Sequence, residues 1–201
     1  MKVLDLFCGL GGWSDGFASE GYEVLGVEID PKIANLYKHP VIVADVRTLN
    51  GEMFKGFDVI VGSPPCRDFS DLARFLGHTW KRPPDPEGDG MSKINGFLRI
   101  VKESQPKYWL MENVKQLQKY IGSAEVCSYL GVKHMFRCFW GCFPAFLIPQ
   151  DASKIVYKSH WHGKRPTITG DGGPLKSWQV AKIPFPVARA LAEAIKNNSK
   201  G

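Results

Sequence analysis

The stretch KVLDLFCGLGGWSDGFASE, residues 2–20, decides the fold. Its apolar opening, Lys2 to Phe7, predicts a buried strand, and the run Cys8 to Gly12 that follows is a glycine-rich turn. The remainder, Trp13 to Glu20, predicts a helix. A strand that leads through such a turn into a helix is typical of nucleotide-binding α/β domains. We therefore expect an open α/β fold with a ligand site beside the turn.

Strand-like and helix-like segments alternate along the rest of the chain. Such alternation predicts a mostly parallel sheet with helical or loop crossovers. Beyond Ser123 the pattern is less regular, and Phe143–Ile148 is an additional candidate strand. The predicted strands are Tyr22–Val27, Val41–Ala44, Phe57–Val61, Tyr108–Met111, Val126–Val132 and Met135–Trp140, and the predicted helices are Pro31–Lys38, Ser92–Glu103, 113–120 and Pro186–Lys196.

Length and composition indicate one globular domain. The chain has 201 residues, enough for one hydrophobic core, and its 44% hydrophobic and 23% charged residues are ordinary for a folded protein. No apolar run approaches the length of a membrane span, and Met1 leads directly into a strand without a secretion signal. We expect a single domain over residues 1–201, located in the cytoplasm.

Charge and cysteine content indicate the kind of binding partner, the redox state of the thiols and whether a metal site is expected. The net charge of +6 favours a polyanionic partner such as nucleic acid. The five cysteines are odd in number and do not have the spacing of a disulfide framework, so we expect them to be reduced. Cys138, Cys142, His160 and His162 do not follow a standard zinc-finger spacing, and we expect no metal site.

A second stretch, DVIVGSPPCRDFS at residues 58–70, carries a candidate nucleophile. The apolar run Asp58 to Val61 predicts a strand, and Pro64 and Pro65 stiffen the turn that follows it. Cys66 comes directly after the two prolines, and a thiolate is a strong nucleophile. The alternative is a buried cysteine with a structural role.

Acidic residues lie in or directly after the first three predicted strands, at Asp5, Glu28 and Asp45. In α/β folds a carboxylate some twenty residues after the glycine turn binds ribose hydroxyls, and Glu28 has this position. The third glycine of a dinucleotide-binding turn is absent, because Trp13 and Ser14 stand there. Since S-adenosylmethionine carries no phosphate, the turn favours this ligand over a dinucleotide.

Five segments resemble, in order and spacing, the motifs of the cytosine C5 methyltransferase family. The resemblance covers about residues 1–115. It implies a Rossmann-like S-adenosylmethionine-dependent methyltransferase fold, with a mostly parallel sheet and helices on both faces. It also implies methyl transfer to carbon 5 of cytosine in nucleic acid, DNA rather than RNA, as in restriction-modification systems. The segments are DLFCGLGGWSDGF (5–17), VEIDP (27–31), ADV (44–46), SPPCRDFS (63–70) and MSKINGFLRIVKESQPKYWLMENV (91–114).

The resemblance implies a role for individual residues. Cys66 would add to carbon 6 of the cytosine ring, and Glu112 would hold the protonated ring nitrogen and the exocyclic amine. Arg137 is the residue nearest to the family's glutamine-arginine-arginine motif, and we include it with the catalytic residues. The methyl donor would leave as S-adenosylhomocysteine. The implied cofactor-binding residues are Phe7, Gly9, Gly11, Gly12, Glu28, Ile29, Asp45 and Pro65.

Contacts to nucleic acid are expected near the catalytic turn and in two basic segments. Residues 71–90 are placed to close over a base that has been flipped out of a duplex. Residues 154–166 mix basic and aromatic side chains, a composition suited to a nucleic-acid strand. The alternative for these charges is a solvated surface loop. The candidate residues are Arg67, Ser70, Arg74, Lys81, Arg82, Lys164 and Arg165.

The chain also departs from the family's pattern. Arg67 stands in place of a glutamine and Lys182 in place of an asparagine, and residues 149–178 would be a reduced substitute for the target recognition region. Four interpretations remain open: a weakly specific DNA enzyme, an enzyme that needs a partner chain, an RNA enzyme, and a catalytically weak nucleic-acid-binding subunit. A nicotinamide-dependent oxidoreductase is the rival from another enzyme class.

Overall fold

The computed structural model describes residues 1–70, 83–130, 136–148 and 182–199, and its centre is a seven-stranded sheet. The strands are β1 (Lys2–Leu6), β2 (Glu23–Glu28), β3 (Val41–Val43), β4 (Val59–Gly62), β5 (Tyr108–Asn113), β6 (Val126–Tyr129) and β7 (Phe136–Cys142). Their order across the sheet is β3-β2-β1-β4-β5-β7-β6. The pairs among β1 to β5 are parallel, and β7 runs antiparallel to both β5 and β6. The prediction of a mostly parallel sheet is confirmed.

Helices cover both faces of the sheet, as predicted. Apolar side chains alternate along the buried strands, so that Val59 and Val61 face one side and Ile60 the other. Helices α1 and α5 cover the first side, and α3 covers the second. The helices are α1 (Gly12–Ser19), α2 (Pro31–Ala34), α3 (Met91–Ser104), α4 (Gln118–Ile121) and α5 (Phe185–Asn198), with shorter 3-10 turns at Val46–Thr48, Gly51–Phe54 and Lys115–Leu117 and a π-helical turn at Pro86–Gly90.

Close packing of α1 against α5 and the residues before it brings the end of the chain to the glycine-rich turn. A Cβ at Gly16 would lie 2.5 Å from the Cβ of Ala188, and one at Gly12 would lie 2.6 Å from the backbone nitrogen of Ile183. Both distances are shorter than real contacts, so these positions require glycine unless the backbone shifts. Lys182 and Ile183 therefore lie directly beside the start of α1.

Some predicted elements differ from the structure. The helix that begins at Pro31 ends at Ala34 rather than Lys38, because Tyr37 turns inward and is buried against α1. Residues 143–148 do not form a strand; Phe143 and Phe146 pack edge to face and Phe146 contacts Phe139, so their burial comes from ring packing. The segment 113–120 forms a 3-10 turn and then α4 rather than one continuous helix.

The expectation that all cysteines are reduced is wrong for two of them. Cys127 on β6 and Cys138 on β7 form a disulfide, with Cα atoms 4.1 Å apart. The two residues are directly opposite each other in the antiparallel pair, a register that the sequence spacing does not reveal. Cys8, Cys66 and Cys142 are free thiols, as expected.

Within the described ranges, no helix has the length and apolar character needed to cross a membrane.

Candidate active site

The predicted site residues meet at the carboxyl edge of the parallel strands. Leu6 of β1 pairs with Val27 of β2 and Gly62 of β4, and Gly62 pairs in turn with Met111 of β5. The next residue along each of these four strands therefore lies at the same edge of the sheet. These residues are Phe7, Glu28, Ser63 and Glu112. Ligands of open α/β sheets bind at this edge, so the register alone brings the two halves of the predicted site together.

The glycine-rich turn has a backbone that ordinary side chains rarely adopt. Phe7, Gly9 and Gly11 have φ angles of +59°, +52° and +78°. The conformation costs glycine little but is strained at Phe7, and strained non-glycine residues concentrate at ligand sites. Hydrogen bonds from the Cys8 N–H to the Val27 carbonyl (3.0 Å) and from the Gly11 N–H to the Cys8 carbonyl (2.8 Å) hold the turn.

Glu28 ties this turn to the end of β2. Its carboxylate accepts hydrogen bonds from the N–H of Gly9 at 3.0 Å and from the N–H of Asp30 at 2.9 Å. Burial raises the pKa of Glu28, and the backbone donors oppose that shift. A carboxylate has about four lone-pair sites, so each oxygen retains capacity for one more donor such as a ribose hydroxyl. The neighbouring Ile29 is 55% exposed and offers an apolar surface at the same edge.

Asp45 is held by Arg47. Its carboxylate accepts hydrogen bonds from the N–H, Nε and Nη2 groups of Arg47, the shortest at 2.6 Å. These bonds lower the pKa of Asp45. Arg47 also pairs with Asp89 at 3.1 Å, which connects the end of β3 to the π-helical turn before α3. The predicted contact of Asp45 with adenine stays a prediction.

One carboxyl oxygen of Asp5 is hydrogen bonded to Ser14, and the other has no hydrogen-bond partner among the described residues. Oδ2 accepts hydrogen bonds from the Ser14 hydroxyl at 2.6 Å and the Ser14 N–H at 3.3 Å. Oδ1 is buried and has no hydrogen-bond partner among the described residues. Burial raises the pKa of Asp5 to about 7. Asp5 therefore ties β1 to the first turn of α1.

The turn after β4 holds Cys66 in place. Its carbonyl accepts hydrogen bonds from the N–H groups of Phe69 (3.1 Å) and Ser70 (3.0 Å), and Asn113 Nδ2 donates to the Pro64 carbonyl at 2.9 Å. Pro65 is exposed and Cys66 is half-buried. Burial, and then the negative charge of Glu112, raise the pKa of the Cys66 thiol, while Arg137 opposes the shift.

Glu112 and Arg137 form a buried ion pair next to this turn. Arg137 Nε lies 2.7 Å from Glu112 Oε1. Burial raises the pKa of Glu112, while the Arg137 charge and a hydrogen bond from the Ser63 hydroxyl lower it. The structure thus brings together Cys66, Glu112 and Arg137, the three residues expected to act in catalysis.

The expected nucleic-acid contacts are only partly within the described residues. Arg67 and Ser70 lie half-buried in the turn after Cys66. Lys182, which replaces an asparagine of the family pattern, forms an ion pair with Asp15 at 2.6 Å beside the glycine-rich turn. The other expected contacts, Arg74, Lys81, Arg82, Lys164 and Arg165, lie outside the described residues.

Three residues of the site were not assigned to it from the sequence. The indole N–H of Trp13 donates a hydrogen bond to the Ser63 hydroxyl at 3.1 Å, and Ser63 follows β4 at the position next to Glu112 of β5. Asn113 anchors the proline turn through Pro64. The available signals were their positions, since Ser63 immediately precedes the two prolines and Asn113 immediately follows Glu112.

Comparison with known proteins connects this geometry to a family. The family model described as C-5 cytosine-specific DNA methylase matches residues 1–125, more than half of the chain. The chain belongs to the C-5 cytosine-specific DNA methylase family. The matched range includes the glycine-rich turn, Glu28, Asp45, Cys66 and Glu112, and it ends before Arg137. The resemblance derived from the five sequence segments is therefore confirmed.

Relatives within the family are Type II methyltransferases. The chain is 36% identical over 175 residues to Type II methyltransferase M1.HphI of Haemophilus parahaemolyticus, covering 78% of this chain and 45% of the relative. It is 36% identical over 120 residues to M.FnuDI of Fusobacterium nucleatum, covering 57% and 33%. The chain thus spans less than half the length of these two relatives.

A solved structure shares the fold. It is described as a DNA modification methyltransferase encoded within a prophage of E. coli. Its TM-score is 0.50 at 27% sequence identity, and the alignment covers 71% of this chain and 46% of that one. The methyltransferase fold expected from the sequence is confirmed.

Proposed function

We propose that this chain transfers a methyl group from S-adenosylmethionine to carbon 5 of cytosine in DNA, through a covalent bond between Cys66 and carbon 6. The observation that carries the proposal is the convergence of the Cys66 turn with the Glu112–Arg137 pair at one edge of the sheet. Nucleophile, carboxyl and cation then surround a single position. Membership of the C-5 cytosine-specific DNA methylase family supports the same reaction.

The reaction requires a nucleophile that adds to the cytosine ring and an acid that protonates the same ring. Carbon 5 of cytosine is a poor nucleophile until the Cys66 sulfur forms a bond to carbon 6 and the ring electrons move toward carbon 5. Glu112 would donate a proton to the ring nitrogen and accept a hydrogen bond from the exocyclic amine. Its raised pKa favours the protonated form that this step needs. Once carbon 5 has taken the methyl group, a base such as water would remove the carbon 5 proton. Cys66 would then leave carbon 6 as the thiolate, and the proton on the ring nitrogen would return to Glu112.

Arg137 would hold Glu112 in the orientation that the ring requires. The Nε–Oε1 contact of 2.7 Å holds one of the two carboxyl oxygens of Glu112. Both side chains are largely buried, so water screens the attraction weakly and the ion pair restrains the Glu112 carboxyl. In the proposal Arg137 therefore positions Glu112, and its positive charge favours the thiolate form of Cys66.

The residues around the glycine-rich turn suit the methyl donor, which supplies an electrophilic methyl group when bound. The left-handed backbone of Gly9 and Gly11, which glycine adopts at little cost, shapes the turn beside the proposed donor site. Glu28 retains lone pairs for the ribose hydroxyls, and the exposed Ile29 offers a surface for the adenine ring. The proposed donor site also includes Phe7, Gly12, Asp45 and Pro65.

The substrate is proposed to be DNA rather than RNA, because the family is described as a DNA methylase and the similar solved structure as a DNA modification methyltransferase. Residues 149–178 would serve as a reduced target recognition region within a single domain. A partner chain that supplies recognition, an RNA substrate, or a catalytically weak binding subunit are the alternatives. The basic residues near Cys66, starting with Arg67, would contact the phosphates.

Methyl transfer from labelled S-adenosylmethionine to DNA and RNA, single and double stranded, tests the proposal. We expect labelled 5-methylcytosine in DNA with the wild-type chain and none with Cys66→Ala. Cys142→Ala is the matched control, because Cys142 is also a free thiol but lies exposed at the end of β7. Label in RNA alone would favour the RNA alternative, and binding of polymer without label in any of them contradicts the proposed activity.

A further inference from the structure

A buried carboxyl lies within the turn that carries Cys66. Asp68 follows Cys66 by two residues, and only 1% of its surface is exposed. The N–H groups of Phe69 and Ser70 both donate to the Cys66 carbonyl, so Asp68 lies inside the hydrogen-bonded turn that holds the nucleophile. A carboxylate buried to this degree is costly unless it is hydrogen bonded and paired with a cation. The groups that hold Asp68 therefore also hold the Cys66 turn.

Lys93, in the first turn of α3, supplies a cation for Asp68. Its Nζ lies 3.7 Å from Asp68 Oδ2, and only 17% of the Lys93 side chain is exposed, so water screens the attraction weakly. The other oxygen, Asp68 Oδ1, accepts a hydrogen bond from the backbone N–H of Asp85 at 3.1 Å. Each carboxyl oxygen of Asp68 thus has a contact of its own. Together these contacts attach the Cys66 turn to α3 and to the segment that leads into it.

A second carboxylate holds the Lys93 ammonium in place. Lys93 Nζ donates to Asp89 Oδ2, four residues earlier in the chain. Asp89 Oδ1 accepts a hydrogen bond from Arg47 Nη1 at 3.1 Å, and the Asp89 N–H donates to the Asp85 carboxylate at 2.9 Å. A lysine ammonium sits on a flexible four-carbon stem, so one contact alone would restrain it poorly. With Asp89 held from two sides, the position of the Lys93 charge beside Asp68 is defined.

The backbone before α3 packs directly against the Cys66 turn. A Cβ at Gly90 would lie 2.9 Å from the Phe69 ring and 3.0 Å from the Cβ of Asp68. Both distances are shorter than ordinary contacts between carbon atoms, so the two segments already touch without a side chain at this position. A shift of the turn relative to the start of α3 would break this contact as well as the ion pair.

We propose that Lys93 is a positioning residue for the nucleophile: through Asp68 it holds the Cys66 turn against the start of α3, with the thiol beside the Glu112–Arg137 pair. The inference rests on the proposed function and adds a residue outside the expected catalytic set. Lys93 acts through Asp68 and does not itself contact the cytosine ring. Its removal should therefore slow the formation of the Cys66–carbon 6 bond in a chain that is still folded.

The single-turnover rate of adduct formation on DNA containing 5-fluorocytosine tests this role. The donor is saturating, which equal rates at two S-adenosylmethionine concentrations establish. Lys93→Met keeps an unbranched side chain and removes the charge. We expect the rate to fall about ten- to hundred-fold, because misplacing a reacting group by about 1 Å can cost about 10²-fold. Lys93→Arg keeps a cation and should recover most of the rate.

Lys196→Met is the matched control for the loss of a paired lysine. Lys196 Nζ also lies near a carboxylate, Glu20, at 3.9 Å. It belongs to α5, which covers the side of the sheet opposite to α3. The rate of adduct formation should be the same in this variant as in the wild type. A loss of rate as large as that in Lys93→Met would contradict a specific role of Lys93.

Combining Lys93→Met with Asp68→Asn tests whether Lys93 acts through Asp68. An asparagine keeps an oxygen that can accept from the Asp85 N–H but removes the charge that Lys93 compensates. We therefore expect the double variant to react faster than Lys93→Met alone, to within about three-fold of Asp68→Asn. If Lys93→Met and the double variant are equally slow, Lys93 does not act through Asp68 and the inference is wrong.

Hydrogen exchange gives a readout that does not depend on catalysis. The amide protons of Phe69 and Ser70, which donate to the Cys66 carbonyl, should exchange faster in Lys93→Met than in the wild type. The Gly11 amide, which donates to the Cys8 carbonyl in the glycine-rich turn, is the internal control and should be unchanged. Unchanged exchange at Phe69 and Ser70 would contradict the inference whatever the activity.

The outcomes distinguish this inference from the proposed function. If the wild type forms the adduct and Lys93→Met forms it equally fast, the positioning role is wrong and the proposed function stands. A wild type that forms no adduct contradicts the proposed function, and exchange at Phe69 and Ser70 then decides whether Lys93 holds the turn. Thermal unfolding confirms that each variant is folded. If Lys93→Met does not fold, Lys93→Gln, which keeps a hydrogen-bond donor without the charge, takes its place.

Discussion

Replacing Arg137 by methionine removes the cation that faces Glu112 while keeping a long apolar side chain. Only 16% of the Arg137 side chain and 7% of the Glu112 side chain are exposed, so water screens the pair weakly. Removing one partner of a buried ion pair leaves an uncompensated charge and costs about 3–5 kcal/mol of unfolding free energy. This is a large part of the stability of an ordinary domain, about 5–15 kcal/mol.

The loss of stability in Arg137→Met should depend on pH. Burial already raises the pKa of Glu112, and removing Arg137 takes away a group that lowers it. A carboxyl with a raised pKa in the folded state binds its proton more tightly when the chain is folded. The stability of the variant is therefore highest below the pKa of the unfolded chain and falls as pH rises through the folded pKa. We expect a large loss at pH 8 and a smaller one at pH 5.

Urea unfolding followed by tryptophan fluorescence at the two pH values measures this effect. Arg189→Met is the matched control, because Arg189 pairs with Glu20 and Glu193 on the surface and its side chain is 52% exposed. The control should lose much less stability and show little difference between the two pH values. Equal losses in both variants, or a loss in Arg137→Met that does not change with pH, would refute the reasoning.

Three further predictions concern stability. Reducing the Cys127–Cys138 disulfide, or replacing both cysteines by alanine, should lower the free energy of unfolding by about 2–4 kcal/mol. Dithiothreitol should have no effect on the melting temperature of the double alanine variant. An equal melting temperature of the wild type with and without dithiothreitol would contradict this prediction. Gly16→Ala places a Cβ 2.5 Å from the Cβ of Ala188 and should lower the free energy of unfolding by about 1–3 kcal/mol. In Gly96→Ala the nearest atom to the new Cβ would lie 3.4 Å away, so this variant should gain about 0.5–1 kcal/mol of unfolding free energy. Calorimetric melting of the two variants checks that the changes have opposite signs. Burial raises the pKa of Asp5 to about 7, so its contribution to stability is fully present below the pKa of the unfolded chain and is lost as pH rises through about 7. The decrease in melting temperature from pH 6 to pH 8 should therefore be smaller in Asp5→Asn than in the wild type. An equal decrease in both proteins would contradict this prediction.

The parts of the fold that could be predicted from the sequence are those encoded locally. The strand and turn at Lys2–Gly12 and the proline turn before Cys66 depend on runs of neighbouring residues, and the structure places both as expected. The order of the motifs then placed Glu28 and Glu112 at the same sheet edge, because carboxyl ends of parallel strands share one edge.

The parts that could not be predicted depend on which residues of distant strands face each other. The disulfide follows from the antiparallel register of β6 and β7, in which Cys127 lies opposite Cys138. The contact of Trp13 with Ser63 spans fifty positions in the chain and depends on the packing of α1 against the sheet. Apolar content suggested a strand at Phe143–Ile148, but the segment forms no strand. Ring packing partly buries Phe143 and Phe146, whereas Leu147 is exposed.

Covalent trapping on DNA that contains 5-fluorocytosine tests the central claim most directly. Fluorine cannot leave carbon 5 as a cation, so a chain that forms the Cys66–carbon 6 bond and receives the methyl group cannot release the DNA. The wild-type chain with S-adenosylmethionine should give one adduct per chain, with the modified peptide containing Cys66, and Cys142→Ala should give the same adduct. A wild type that forms no adduct, or an adduct that persists in Cys66→Ala, would contradict the account.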